Sequence, residues 1–507
     1  MLRKIRVACA IISFLLITLL FLDFTGTLHA WLGWLAKIQF LPAVLALNAG
    51  VILFLLLLTV LFGRIYCSVI CPLGIFQDLI AWFGRRPKKR RKLPYSYSPA
   101  LSSLRYGVLA LFVIALIAGV GSVVALLAPY SAYGRIANNL FQPVWIGGNN
   151  LLAFVAERVG SYAFYEKEVW LKSLPTFIVA VVTLVALFFL AWRNGRTYCN
   201  TICPVGTVLG FVSRYSLFRI TMDPEKCNNC SLCSRNCKAA CIDFKQHKVD
   251  NSRCVVCMDC IGKCKQDAIR YTPVWKKKAT VSGEPDSSQQ ADLSRRRALS
   301  ATVLVAMASM ANAQSNRPKE ILSPKDGGLA PIKERKKVQR QTALVPPGAS
   351  SIKNMATHCT ACQLCISVCP NKVLQPASDL MKLMQPEMSF ELGYCRPECT
   401  KCAEVCPAGA IRPITTADKS AIQIGHAVWV KEYCVPLTDN VECGNCERHC
   451  PTKAILLVPS VADDSQSVKI PIVDTERCIG CGSCENLCPS RPYTAIYVEG
   501  HERHRII

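Results

Sequence analysis

Negative charge is scarce in this chain. Its 507 residues carry 34 Asp and Glu against 59 Lys and Arg, and only 7 His. The resulting charge of +25 raises nucleic acid as a partner. Against that, no nucleic-acid-binding motif is present, and the cations crowd into runs that flank apolar segments. Four such segments, 6–22, 43–62, 106–128 and 174–192, contain no Asp, Glu, Lys, Arg or His between their ends. Proton pumps and transporters place ionisable groups there, so neither is expected. A haem between the spans needs axial histidines and is excluded too; the nearest, His29, stands alone in a loop. No G-x-G-x-x-G follows a strand, so a nicotinamide site is unsupported.

The four apolar runs predict a membrane α-helical unit over 1–215, each run being near the length that crosses a bilayer. Between the second and third runs lie Arg85, Arg86, Lys88, Lys89, Arg90, Arg91 and Lys92, whereas the first loop holds only Lys37. By the positive-inside rule the basic loop and both ends of this unit are cytoplasmic. The basic run is otherwise a topology signal with attraction to anionic lipid. The unit is also duplicated: residues 63–74 match 195–206 at eight of twelve positions. Each copy ends in C-x3-C-P, with Cys67 and Cys71 in one and Cys199 and Cys203 in the other. Proline after the second cysteine suits a helix start, where the dipole favours the thiolate. A redox or ligand role follows for these four, and two disulfides or one shared metal site both fit.

Of the 30 cysteines, 24 fall into six further motifs. Cys227, Cys230, Cys233 and Cys237 form C-x2-C-x2-C-x3-C, and Cys254, Cys257, Cys260 and Cys264 repeat it. This is the spacing of bacterial two-cluster ferredoxins, in which the fourth cysteine ligates the partner motif's [4Fe–4S] cluster. The ligand sets are then Cys227, Cys230, Cys233 with Cys264, and Cys254, Cys257, Cys260 with Cys237. Structural zinc needs four ligands but gives no reason for the crossed one. Two more pairs follow by the same rule. Cys359, Cys362, Cys365 go with Cys406, and Cys395, Cys399, Cys402 with Cys369. Cys434, Cys443, Cys446 go with Cys488, and Cys478, Cys481, Cys484 with Cys450. The longer first gaps after Cys395 and Cys434 are insertions in the cluster loop. Three α+β 2[4Fe–4S] ferredoxin modules are therefore expected, at 220–272, 346–415 and 425–500, with six clusters. Lys238 and Lys265 stand where proline usually follows the fourth cysteine, and Cys9 and Cys241 fall outside every pattern and are assigned to packing. Residues 273–345 form a polar linker. Inside it, 294–313 has paired arginines, a short apolar stretch and Ala311-Asn312-Ala313, the pattern of a twin-arginine export signal.

Residues 1 to about 275 resemble the NapH-type membrane quinol dehydrogenase subunit, a group that includes MauN and the membrane part of NosR. The stretch from about 294 to the end, with its Pro346-Pro347-Gly348, resembles the NapG/MauM-type periplasmic ferredoxin. The resemblance implies a bacterial inner-membrane protein in which Cys67, Cys71, Cys199 and Cys203 lie near a quinol-reactive region. It also implies that electrons pass from menaquinol or ubiquinol to a periplasmic c-type cytochrome or reductase. One difficulty accompanies it. Two clusters are expected inside and four outside, with about 30 Å of hydrocarbon between, too far for one efficient electron hop. Two rivals keep the clusters: a cytoplasmic polyferredoxin on a membrane anchor, and a redox-sensing or metal-reducing maturation factor.

Overall fold

The computed structural model describes residues 2–23, 25–84, 95–161, 163–169, 172–274, 335–461, 464 and 467–507, together with the strand pair 325–326 and 330–331. The basic run 85–92 and the export-like segment 294–313 lie outside the described residues. Residues 1–274 and 335–507 form one compact unit, and Trp275–Glu334 forms another, of which only the short strand pair is described.

Two described helices are long and apolar enough to cross a membrane: α1 (Leu2–Leu22) and, numbered below, α8 (Leu174–Asn194), each of 21 residues. At 1.5 Å per residue each is about 31 Å long, the thickness of a bilayer's hydrocarbon. The other two expected spans are interrupted. Helix α2 covers Ala49–Phe62 only, because Leu47 turns left-handed at φ 52° and the Asn48 side chain caps the new helix on the Val51 N–H. Helix α4 (Ser102–Ile117) stops before Gly119 at φ +73°, and α5 (Gly121–Leu127) restarts beyond it. Helices α6 (Pro129–Ile136) and α7 (Gln142–Arg158) are joined by a five-residue π turn at Ala137–Phe141.

The prolines after the C-x3-C motifs start helices as expected. Helix α3 (Pro72–Gly84) packs on α1, α6 and α8, and α9 (Pro204–Val212) packs on α2 and α4. The thiols at their N-termini are thereby folded into the bundle interior.

Each ferredoxin segment is closed by short antiparallel strands: Phe218–Met222 with Ile269–Pro273, Leu374–Pro376 with Pro386–Met388, and Ile422–Trp429 with Ile496–Ile506. The described chain resumes at 335, before the expected boundary at 346. Arg340 Nε donates to the Val498 carbonyl at 2.8 Å, and Met388 N to the Leu344 carbonyl at 2.9 Å, so 335–345 belongs to the C-terminal fold.

Candidate metal centres and an interfacial pocket

The cysteine motifs fold around cavities. Cys227, Cys230, Cys233 and Cys264 line one of about 340 Å³. Cys395, Cys399, Cys402 and Cys369 line another of about 390 Å³, and Cys478, Cys481, Cys484 and Cys450 one of about 280 Å³. Each takes three cysteines from one motif and the last from its partner. The complementary sets also converge: Cys260 interacts with Cys254, Cys257 and Cys237, Cys359 with Cys362 and Cys406, and Cys434 with Cys443 and Cys488. Among the described residues no three Cys, His, Asp or Glu side chains close in on a point that would hold a single ion. Sulfurs spread around a cavity suit a multi-iron cluster better than tetrahedral zinc.

Backbone conformation explains the strict spacing. In four motifs the residues on either side of the second cysteine are left-handed: Asn229 and Ser231, Val256 and Met258, Ala361 and Gln363, Gly480 and Gly482. This coils the loop so that N–H groups face sulfur, as Ala361 N does Cys359 Sγ at 3.4 Å. The longer gap after Cys395 contains no such residue. There the buried Lys419 ammonium holds the loop instead, donating to the Arg396 and Cys399 carbonyls, both at 2.5 Å. Burial pushes the Cys233 thiol up to about 11 and those of Cys446 and Cys481 up to about 12. Such thiols stay neutral unless a metal's positive charge replaces their protons.

The modules are linked. Cys395 N donates to the Cys481 carbonyl at 3.0 Å, bringing the cysteine-lined cavities of the second and third modules together. The second module meets the C-terminal end of α1, where Lys401 Nζ donates to the Thr25 carbonyl at 3.2 Å. At the other end of α1, Arg3 Nε pairs with Asp259 of the first module at 2.7 Å. Lys238, one of the two departures from the usual proline, is part of this second junction. Its ammonium lies 3.0 Å from Asp259 and 3.6 Å from Asp78, and its carbonyl accepts from Arg196 N at 2.9 Å. Asp78 also accepts from Arg196 at 2.9 and 2.8 Å and from Arg6 at 3.4 Å. Lys265 is exposed, and nothing in the structure explains it. Of the unpatterned cysteines, Cys241 is buried with its sulfur 3.5 Å from that of Cys237, while Cys9 is exposed rather than packed.

Cys67, Cys71, Cys199 and Cys203 are brought together in the bundle interior, all four buried. They do not line the cavity between the helical unit and the second module. That cavity, of about 670 Å³, is lined by Asn138, Asn139, Gln142, Lys172, Ile366 and Cys369 among others. Asn139 Nδ2 donates to Gln363 Oε1 at 3.0 Å and Asn138 Nδ2 to the Gln363 carbonyl at 3.2 Å, tying the helices to the cluster loop. Lys172 donates to Asn138 Oδ1 and, at 2.6 Å, to Gln142 Oε1. Burial first, then the charge of Lys167, brings its ammonium down to about 7. Sequence reasoning missed this site because polar residues scattered over 138–172 have no motif. It also passed over Arg64 and Arg196, although both lie inside the duplicated segments.

Comparison with known proteins supplies the lineage. A family model described as a 4Fe-4S binding domain matches residues 45–91 and 174–222, and one described as a 4Fe-4S dicluster domain matches 441–491. Ferredoxin-type protein NapF of Escherichia coli is 31% identical over 157 residues, 31% of this chain and 86% of NapF. This chain belongs to the ferredoxin-type family. Ferredoxin-type protein NapH of Haemophilus influenzae is 30% identical over 230 residues, 44% of the chain and 66% of NapH. Methylamine utilization ferredoxin-type protein MauM of Methylobacillus flagellatus is 34% identical over 144 residues, 27% of the chain and 61% of MauM. The ferredoxin-type protein is thus a NapH-like and MauM-like fusion carrying 4Fe-4S domains. It spans between 55% and 66% of the length of several of the curated relatives it matches. No solved structure matches it.

Proposed function

We propose that this ferredoxin-type protein is a multi-pass membrane quinol dehydrogenase component. Quinol loses two electrons and two protons, and the electrons pass singly along [4Fe–4S] clusters held by the six crossed cysteine sets to a periplasmic cytochrome or reductase. The clusters supply the redox chemistry; the chain supplies spacing, insulation and proton acceptance. The observation that carries the reading is the pocket beside Cys369. Its lining sets the amides of Asn138, Asn139 and Gln142 and the Lys172 ammonium beside apolar Pro143, Ile146 and Val169, the mixed wall a quinone head group calls for. Its amides can orient the ring's hydroxyls, and Lys172, near half-neutral at pH 7, can take a proton as an electron leaves toward the cluster. Helix α7 presents Val144, Leu151 and Val155 outward, an apolar approach from lipid. Quinol chemistry is placed here rather than at the C-x3-C-P thiols, because those are enclosed. Modules at both ends of a bilayer-length helix favour placement on both membrane faces over a wholly cytoplasmic polyferredoxin.

The test uses the full, cluster-loaded chain in liposomes supplied with a reduced short-chain menaquinone or ubiquinone. Bleaching of the iron–sulfur absorption by quinol is expected. Lys172→Met should slow that bleaching by about 100-fold or more, the scale of a lost general base, while reduction by dithionite is unchanged. A wild-type chain that quinol does not reduce would sink the reading.

A further inference from the structure

Each of the two membrane segments matched as 4Fe-4S binding contains only two cysteines of the C-x3-C-P motif, half of what a cubane needs. In three dimensions the halves meet. Arg196 Nη1 of the second repeat donates to the Cys67 carbonyl at 2.6 Å, and Arg64 Nη2 of the first donates to the Cys199 carbonyl at 3.1 Å. Gln77 of the first repeat donates to Cys199 Sγ at 3.3 Å. Gly74 and Gly206 permit the fold-back: a Cβ on either would stand 2.3 Å from the Cys67 or Cys199 carbonyl. The thiols of Cys71 and Cys203 each lie within electrostatic reach of Cys67 and Cys199.

A second observation points to an anion. Arg64 is fully buried, and its partners are the Asn200 Oδ1 at 2.9 Å, the Ser252 carbonyl at 3.1 Å, the Cys199 carbonyl and, at 3.9 Å, the Cys67 Sγ, with no carboxylate among the described residues. Arg105, also buried, donates to the same Ser252 carbonyl at 3.1 Å, and the Nε of both arginines is unpartnered. Arg105 has the Asp250 carboxylate within electrostatic reach, but Arg64 has none, and a buried guanidinium without a counter-charge is costly unless an anionic group sits beside it. Thiolate-ligated clusters are such anions.

We propose that Cys67, Cys71, Cys199 and Cys203 together hold one further [4Fe–4S] cluster, shared between the two repeats. It relays single electrons between the first module's cluster at Cys254, Cys257 and Cys260 and the second module's cluster at Cys359, Cys362 and Cys365. No bond is made or broken; the cluster accepts one electron from one neighbour and gives one to the other. One contiguous apolar core contains Cys257, all four C-x3-C-P cysteines, and Cys359, Cys362 and Cys365, so the path is insulated throughout. The proposal stands whether or not quinol is the donor.

The experiment measures iron, acid-labile sulfide and Mössbauer or EPR components in the full chain. Cys67→Ser with Cys71→Ser, Cys199→Ser with Cys203→Ser, and all four together should each lose the same amount, about four of roughly 28 irons. Unchanged iron, losses that add between the two pairs, zinc in place of iron, or a Cys67–Cys71 disulfide found by mass spectrometry in the native protein would each overturn it. Should the serine variants not fold, Arg64→Met keeps the test open. In the fully loaded protein it should lower the reduction equilibrium of one spectral component at least tenfold, 59 mV for one electron. Potentials unchanged in every component would refute the cluster's place beside Arg64.

Discussion

Asp78 is the residue on which the junction between the first ferredoxin module and the helical unit depends. It faces Arg196 through two hydrogen bonds, at 2.9 and 2.8 Å, with Arg6 at 3.4 Å and Lys238 at 3.6 Å. Its side chain is 12% exposed and that of Arg196 fully buried, so solvent screening is weak. Asp78→Asn keeps the shape but leaves three cations without their shared anion. Removing one partner of a buried pair costs about 3–5 kcal/mol, which is roughly 150-fold to several thousandfold in the docking equilibrium. Hydrogen exchange read separately in 220–272 and 346–500 measures this: protection should fall in the first and stay in the second. A change below about 1 kcal/mol, the range of exposed pairs, would refute the reasoning. The same junction has a pH limit. Burial would raise the Asp259 carboxyl, but Lys238 and Arg3 outweigh it and hold the group below the usual carboxylate range. A depressed folded pKa gives stability that is present above about pH 4 and lost as pH falls below it, so the first module should loosen on acidification.

Three other outcomes are expected. The dependence of quinol oxidation on pH should rise through about 7 as Lys172 loses its proton, and Lys172→Met should flatten it; a wild-type profile already flat from pH 6 to 8 contradicts the assigned role. Gly482→Ala should cost about 2–5 kcal/mol from left-handed strain plus overpacking, because φ is +78° and the new methyl would stand 2.2 Å from the ring of fully buried Phe390; thermal unfolding checks it. Glu168→Gln should leave the melting temperature unchanged, since Glu168 is 84% exposed in its pair with Lys372.

The cysteine motifs were legible because a loop that wraps a cubane sets most of its ligands three positions apart, with two residues between, and the left-handed pairs at 229/231 and 361/363 show why. The same spacing led to the expectation of a crossed fourth ligand, and Cys264, Cys369 and Cys450 each line a cavity with three cysteines of the partner motif. Helix boundaries were less so. Hydropathy reads 43–62 and 106–128 as continuous, but hydropathy is blind to a left-handed Leu47 or to Gly119 ending a helix. Contacts between segments were hidden altogether. Lys238 stood out only as a departure from the usual proline, and it is a docking residue; nothing within ten residues of it announces Asp78 as a partner. Lys172 acquires its character from burial against Asn138 and Gln142, more than thirty and about thirty residues away.

The difficulty raised by the sequence, two clusters on one side of a membrane and four on the other, takes a different form once contacts are known. Helix α1 is contacted by the first module at Arg3 and by the second just past its end at Thr25. Its length, about 31 Å, is then the gap to be crossed. What fills that gap is the core holding the C-x3-C-P thiols, walled toward the second module by Phe21, Tyr130 and Tyr133, whose rings stand 5.5 and 6.0 Å from that of Phe21. On the proposed reading a centre at the thiols would divide that crossing into two steps, and without it the proposed clusters on either side would form separate circuits. The pocket at Cys369 adjoins the second module, so on the proposed reading quinol could feed the third module through the Cys395–Cys481 contact alone. On that reading the clusters proposed for the first module have a use only if the thiols conduct. Loss of the C-x3-C-P cysteines should leave quinol reduction of the outer clusters intact and halt electron exchange with those of the first module, a separation that freeze-quench EPR of the two groups would resolve.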